Sequence, residues 1–302
     1  MLRMRPRLIA ESCVGAASGQ VRPVAGGGWL VTDPDDDATR LLCRRLHARA
    51  TVDGGCGVVS SDGTHLGTVT DGVVTVEDLH GRQVWRKALE GVTECHLDGR
   101  GVLWTLAGDR LGARETATGR LIGEALLGVH PGWSTWIDDP RGDWTGLAGD
   151  RSWLARPTTA GIAVRPVPDV TLTDLHRTEP RYLASTRDGT RLTVRDVATN
   201  AVAADKPTDP GACLLASTAV SESLVLAAYN LDDHGTELER HLLLSAATLS
   251  VRSAVRYPAP QRDVHRSAEP GTWLTSDAEG LRLWRLDGLL DDDPLPGQQA
   301  LF

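Results

Sequence analysis

The 302-residue chain is short of several things. It has one phenylalanine, three tyrosines, two methionines and two lysines, Lys87 and Lys206, with arginine carrying the rest of its positive charge. No stretch approaches the roughly 20 apolar residues of a membrane-spanning helix. The longest apolar runs, such as residues 224–229, have the length of a strand, so helical membrane spanning is set aside. Arg3, Arg5 and Arg7 open the chain like a signal peptide, but the apolar residues 8–10 are followed at once by Glu11, which leaves no apolar core for export. The five cysteines (Cys13, Cys43, Cys56, Cys95, Cys213) are odd in number, far apart and without a C-x-x-C pair. That spacing suits neither a disulfide framework nor a zinc site, and reduced thiols in a cytoplasmic protein are expected.

Motifs for chemistry are also missing. The nine histidines occur singly, with no H-E-x-x-H pair, and no G-x-S-x-G elbow is present. Residues 26–28 form a glycine run ahead of the strand-like WLVTD and not ahead of a helix, so a turn is expected there and not a phosphate cradle. No catalytic, cofactor-binding or metal-binding residue is therefore assigned. The 32 Lys and Arg against 40 Asp and Glu give a net charge of −8, which argues against a broad basic face for duplex nucleic acid. Much of the acidity is local. Asp33, Asp35, Asp36 and Asp37 form one cluster, expected at a solvated hairpin tip, and Asp291 to Asp293 form another in the C-terminal tail.

What the chain does have is self-similarity. Segments of about six alternating apolar and polar residues, the pattern of half-buried strands, are followed by Gly, Asn or Asp turns and a further strand. VTVEDLHGRQVW from Val74 is the type. It is matched by LGARETATGRLIG from Leu111, LTVRDVATNAVA from Leu192, LLSAATLSVRS from Leu243 and LRLWRLDG from Leu281. Weaker copies are LLCRRLHAR from Leu41 and IAVRPVPDV from Ile162. Equivalent positions at Arg45, Asp78, Glu115, Pro166, Asp196, Ala246 and Arg285 are separated by 33, 37, 51, 30, 50 and 39 residues, a mean of 40. Four-stranded propeller blades repeat at about 40 to 45 residues. The two long intervals coincide with apparent insertions, HPGWSTWIDDPRGDW and NLDDHGTELER, expected as surface loops.

Within the second copy the strands GVVSS, HLGTVT, VVTVEDL and RQVWRKAL are separated by Asp62-Gly63, Asp71-Gly72 and His80-Gly81, and Asp-Gly is a strong hairpin signal. No amphipathic helix of ten residues is found. The last copy lacks a fourth strand, and Arg7 to Val14 is strand-like, so the expected fold is all-β: a seven-bladed propeller of four-stranded antiparallel blades, with an N-terminal strand closing the last blade. The expected division is a single propeller over residues 1–288 and a flexible acidic tail over 289–302.

These units, VTVEDLHGRQVW, LTVRDVATNAVA and LRLWRLDG above all, resemble WD-repeat β-propellers, and more loosely the quinoprotein-type repeats of the same blade geometry. The Trp-Asp pair itself is missing: Glu77 precedes Asp78, Arg195 precedes Asp196, and Trp284 is followed by Arg285. Resemblance to WD-repeat proteins implies a rigid platform for protein partners without catalysis and names none of them.

Two features suggest where partners dock. Trp133, Trp136, Trp144 and Trp153 crowd 21 positions, one or two of them expected in the core. Trp133, Trp136 and Trp144 are candidates for an exposed aromatic patch. The chain ends QQALF, with its only phenylalanine last. Q-x-x-L-F resembles the motif by which bacterial replication and repair proteins bind the sliding clamp. On that resemblance Gln298 is the polar anchor and Leu301 and Phe302 fill an apolar cleft; Gln299 stands where an apolar residue is commoner. An enzyme with its site in the central channel, as in lactonase or quinoprotein propellers, is the alternative, and it requires carboxylates, amides or histidines converging there.

Overall fold

The computed structural model describes residues 3–12, 20–24, 28–33, 38–53, 58–60, 64–78, 80–132, 134–233, 236–259, 261–267, 269–277 and 280–286. Among these there is no helix. The strands form seven sheets, the blades of a propeller; five are built wholly from chain-consecutive antiparallel strands, and the other two also take in a strand from the start of the chain. The second blade shows why the sequence folds this way. His65–Thr70 and Val73–Asp78 pair with Thr70 opposite Val73, joined by Asp71 and Gly72 at φ 50° and 73°. Positive φ at both central residues matches the twist of a tight hairpin to that of its strands.

The first strand of each blade faces the axis and the last faces solvent. The fourth strand of blade 2, Gln83–Ala88, buries only Trp85, and that of blade 5, Val202–Pro207, only Ala204. The apolar core therefore lies between blades. Val74 and Val76 of blade 2 pack with Leu97 and Leu103 of blade 3, and Val225 and Leu244 of blade 6 pack with Leu183 and Val194 of blade 5. Large side chains fill the middle of these layers. Trp104, Trp273 and Trp284 are fully buried, and each indole N–H donates to a buried acceptor: Asp98 Oδ2, Tyr257 Oη and Thr275 Oγ1.

Closure follows the expected scheme. Arg7–Ser12 pairs antiparallel with Gly280–Arg285 as the outer strand of blade 7. An additional contact was not anticipated. Arg3–Met4 pairs in parallel with Val251–Val255, the outer strand of blade 6, and Arg256 N donates to Met4 O at 2.8 Å. Ten residues at the start of the chain thus latch two blades.

Blade 4 corrects the reading of the repeats. Its third strand is Ser152–Thr158 and its fourth Gly161–Val167, so the copy taken from Ile162 is the outer strand and not the third. The residue opposite Trp144, equivalent to Glu115 and Asp196, is Arg156, which replaces the intervals of 51 and 30 with 41 and 40. The stretch HPGWSTWIDDPRGDW is no insertion, because it contains the inner strand Thr135–Asp138. The misreading has a physical cause. The outer strands of blades 3 and 4 approach so closely at Gly123 and Gly161 that a Cβ on Gly123 would lie 2.8 Å from the Gly161 Cα. A half-buried outer strand acquires the alternation of an internal one. The other long interval is real, but it lengthens a hairpin: Leu224–Asp233 and Thr236–Ser245 are ten residues each.

Candidate functional site

The inner strands enclose an axial cavity of about 520 Å³. Its wall carries His96, Thr135, Trp136 and Asp138 from blades 3 and 4, Thr171, Thr173 and Asp174 from blade 5, Leu215 and Ser217 from blade 6, and His265 from blade 7. Most of the polar side chains engage one another. His96 Nε2 lies 2.8 Å from Asp138 Oδ1, and its ring stacks on Trp136 with centroids 5.2 Å apart. Thr173 and Ser217 hydroxyls meet at 2.7 Å across the blade 5–blade 6 seam. Asp174 accepts from Leu175 N, Thr218 Oγ1 and Ala219 N, each at 2.8 Å. His265 Nε2 meets Ser276 Oγ at 2.9 Å. Although the His265 ring borders the cavity, it lies deep among protein atoms, and this burial pushes its pKa down to about 4.

Leu215 and Asp150 differ from the rest. Leu215 is 52 % exposed, a large apolar side chain on an inner strand. Asp150 is an exposed carboxylate, with its backbone N–H donating to Pro131 O. The two stand at the cavity wall as groups that a partner could reach. Among the described residues no three His, Cys, Asp or Glu side chains are grouped to hold a metal ion.

The tryptophans divide. Trp136 and Trp153 are 5 % and 3 % exposed and belong to the blade 3–blade 4 core, so Trp136 contributes no outer aromatic surface and faces the axial cavity instead. Trp144 is half-buried against the blade 4–blade 5 core and carries the Arg156 guanidinium carbon 4.6 Å above its ring. Trp133 lies outside the described residues, as do Gln298, Leu301 and Phe302 and the rest of the tail.

Sequence reasoning missed a repeated corner between the first and second strands. There the backbone N–H of Ser60, Asp98, Asp139 and His176 donates to His65 O, Val102 O, Trp144 O and Arg181 O respectively, at 2.9 to 3.2 Å. The corner side chain then caps the turn. Ser60 Oγ accepts from Thr64 N and His65 N, and Asp98 Oδ1 from Arg100 N and Val102 N. Asp139 accepts from Arg141 N and Trp144 N. His176 Nδ1 accepts from Thr178 N and Glu179 N, which places its proton on Nε2, where it donates to Glu222 O of blade 6 at 3.0 Å. Four positions share a task, but three residue types perform it, so no motif is visible.

Comparison with known proteins supplies fold and nothing finer. No protein-family model matches the chain, and no curated protein sequence does. Among solved structures it is similar to the β-propeller domain of Cps50 (Swd1) from Myceliophteria thermophila, with a TM-score of 0.65 at 10% identity over 93% of this chain and 99% of that one. It is also similar to a chain of the mitotic checkpoint complex, with a TM-score of 0.63 at 12% identity over 93% and 94%. The C-terminal WD40 domain of Sif2 gives 0.56 at 9% identity over 95% and 100%. With seven blades of four antiparallel strands and these neighbours, the chain has the fold of a seven-bladed β-propeller.

Proposed function

We propose that this propeller is a non-enzymatic scaffold for protein partners. The observation that supports this most is the state of the axial wall: the carboxylate of Asp174 accepts three hydrogen bonds, and Thr173 pairs with Ser217, so these polar groups brace the seams between blades. A catalytic wall needs groups that converge on a substrate. Leu215 and Asp150 offer a partner an apolar anchor and a charge on the wall of one cavity, and blade-to-blade rigidity keeps them in place. Neighbours of this fold drawn from complexes, such as the mitotic checkpoint complex, agree with a partner-binding role. The three described cysteines, Cys43, Cys95 and Cys213, form no disulfide, which suits a cytoplasmic protein.

Affinity capture from the source cells with the full chain, beside a Leu215→Asp variant, tests the scaffold. The expected result is a stoichiometric partner lost by about tenfold or more in affinity on substitution, with Tm unchanged. Turnover of a lactone or ester that Asp138→Asn or Asp150→Asn abolishes would overturn the reading in favour of an enzyme.

The sharper form of the proposal is a sliding-clamp-associated accessory factor of DNA replication or repair, tethered by Gln298, Leu301 and Phe302. Its support is the terminal QQALF alone. Titration of the tail peptide against the sliding clamp is expected to show saturable binding that Leu301→Ala or Phe302→Ala removes; no binding, or binding indifferent to both, ends it.

A further inference from the structure

Of the two lysines in the chain, Lys87 lies exposed on the outer strand of blade 2, where its Nζ donates to Gly119 O of blade 3 at 2.9 Å. The same oxygen accepts from Arg114 Nη1 at 3.2 Å. Two contacts to one atom hold these cationic nitrogens no more than 6.1 Å apart. That is inside the Debye length of about 10 Å at 0.1 M salt, so solvent ions screen one from the other only in part.

Two neighbouring cations are balanced. Arg82 pairs with Asp78 at 2.7 Å, and Arg120 pairs with Glu115. Among the described residues Lys87 and Arg114 have no carboxylate within ion-pair distance, and one neutral carbonyl cannot balance two full charges. Two further polar atoms beside them lack partners: Arg114 Nε and Thr116 Oγ1 are buried with no hydrogen bond. The seam is also stiff. Trp85 Nε1 donates to Thr116 O at 2.6 Å, and Gly119 sits at φ 66° with its Cα so close to the Trp85 ring that a Cβ would fall 2.8 Å from it. The two cations are therefore held together by the frame in the absence of any charge that draws them together.

The geometry points to an oxyanion site at the blade 2–blade 3 seam, in which Lys87 and Arg114 take a dianionic phosphate group, supplied by free phosphate or by a phosphorylated side chain of a partner. A dianion bridging the two heads turns their repulsion into two attractions. The combination of a guanidinium fork with an ammonium point charge suits phosphate oxygens. The site does not depend on the scaffold reading, since free phosphate alone would occupy it.

Trp85 supplies the readout, because its indole N–H is bonded to the same turn. In the full chain its ¹⁵N-indole resonance, assigned by its loss in Trp85→Phe, is followed during titration with sodium phosphate and, at matched ionic strength, sodium chloride. A saturable shift with phosphate and none with chloride is expected. Lys87 is exposed, so Lys87→Gln keeps the fold and should weaken binding about tenfold, whereas Lys87→Arg should retain it. A phosphoserine peptide is titrated beside its unphosphorylated form. A shift with the phosphopeptide as well as with phosphate identifies a phosphorylated partner as a source, and a shift with phosphate only identifies the free anion. Absence of a shift with either, an equal shift with chloride, or undiminished affinity in Lys87→Gln overturns the site.

Discussion

His176 and His265 are neutral by construction. In His176 the Nδ1 lone pair accepts from two backbone N–H groups, so a proton added there would face two donors, and burial is the largest cause of its lowered pKa. Burial likewise brings His265 from 6.5 to about 4. A base whose folded pKa lies below its unfolded one binds fewer protons when folded, so stability rises with pH across the interval. The contribution of His265 is full above about pH 6.5 and is lost as pH falls towards 4, on the order of 2 kcal/mol given that part of the ring borders the cavity. Thermal denaturation as a function of pH should show Tm falling through this window, and His265→Gln should flatten the slope. A second fall is expected below about pH 4, where Glu115 and Asp188, both held down to about 2, take up protons. The hydrogen bond from Arg120 is the main cause for Glu115, and that from Thr186 for Asp188.

Among the elements, the corners between first and second strands concentrate the most polar contacts in the fewest residues. Asp98 is 3 % exposed and accepts from two backbone N–H groups, the Trp104 indole and the Arg100 guanidinium, which itself reaches Asp143 O on blade 4. Asp98→Ala removes the cap and leaves the Trp104 N–H buried without an acceptor. The expected cost is about 3 kcal/mol in chemical denaturation, and Asp98→Asn should cost less because it keeps an acceptor.

These corners also mark what the sequence could and could not show. The hairpins were legible wherever Asp-Gly or Thr-Asn separates alternating strands, as at Asp71-Gly72 and at Thr199-Asn200, where Asn200 takes φ 60°. Blade 4 was misread by one strand because the Gly123–Gly161 contact half-buries an outer strand, and two glycines facing across a seam leave no pattern in one dimension. The axial wall was illegible for a related reason. Its residues come from six blades, so residues such as Thr173 and Ser217 meet only after the ring has formed. The tryptophan cluster was legible as a cluster, but whether an indole faces the core or solvent depends on the register of the strand carrying it. For Trp136 that register points to the axis.

At the scale of the whole molecule, the ring is a cycle of seven blades, and one of them is completed by strands about 270 residues apart in the chain. Deletion of residues 1–15 removes the outer strand of blade 7 and the parallel contact on blade 6 together, which exposes the edges of Gly280–Arg285 and Val251–Val255. Loss of soluble protein is expected, and a truncated chain that remains monomeric with an unchanged Tm would contradict the role of the latch. Deletion of residues 289–302 is expected to leave Tm unchanged.

The latch also sets an order of events during synthesis. Arg7–Ser12 is synthesised about 270 residues ahead of its partner Gly280–Arg285. At about 5–20 residues per second, the wait is on the order of tens of seconds. Throughout it Leu8 and Ile9, which stay partly exposed even in the closed ring, belong to an unpaired strand that any other edge could recruit. The seal that protects the finished propeller is thus its most exposed segment while the chain is being born.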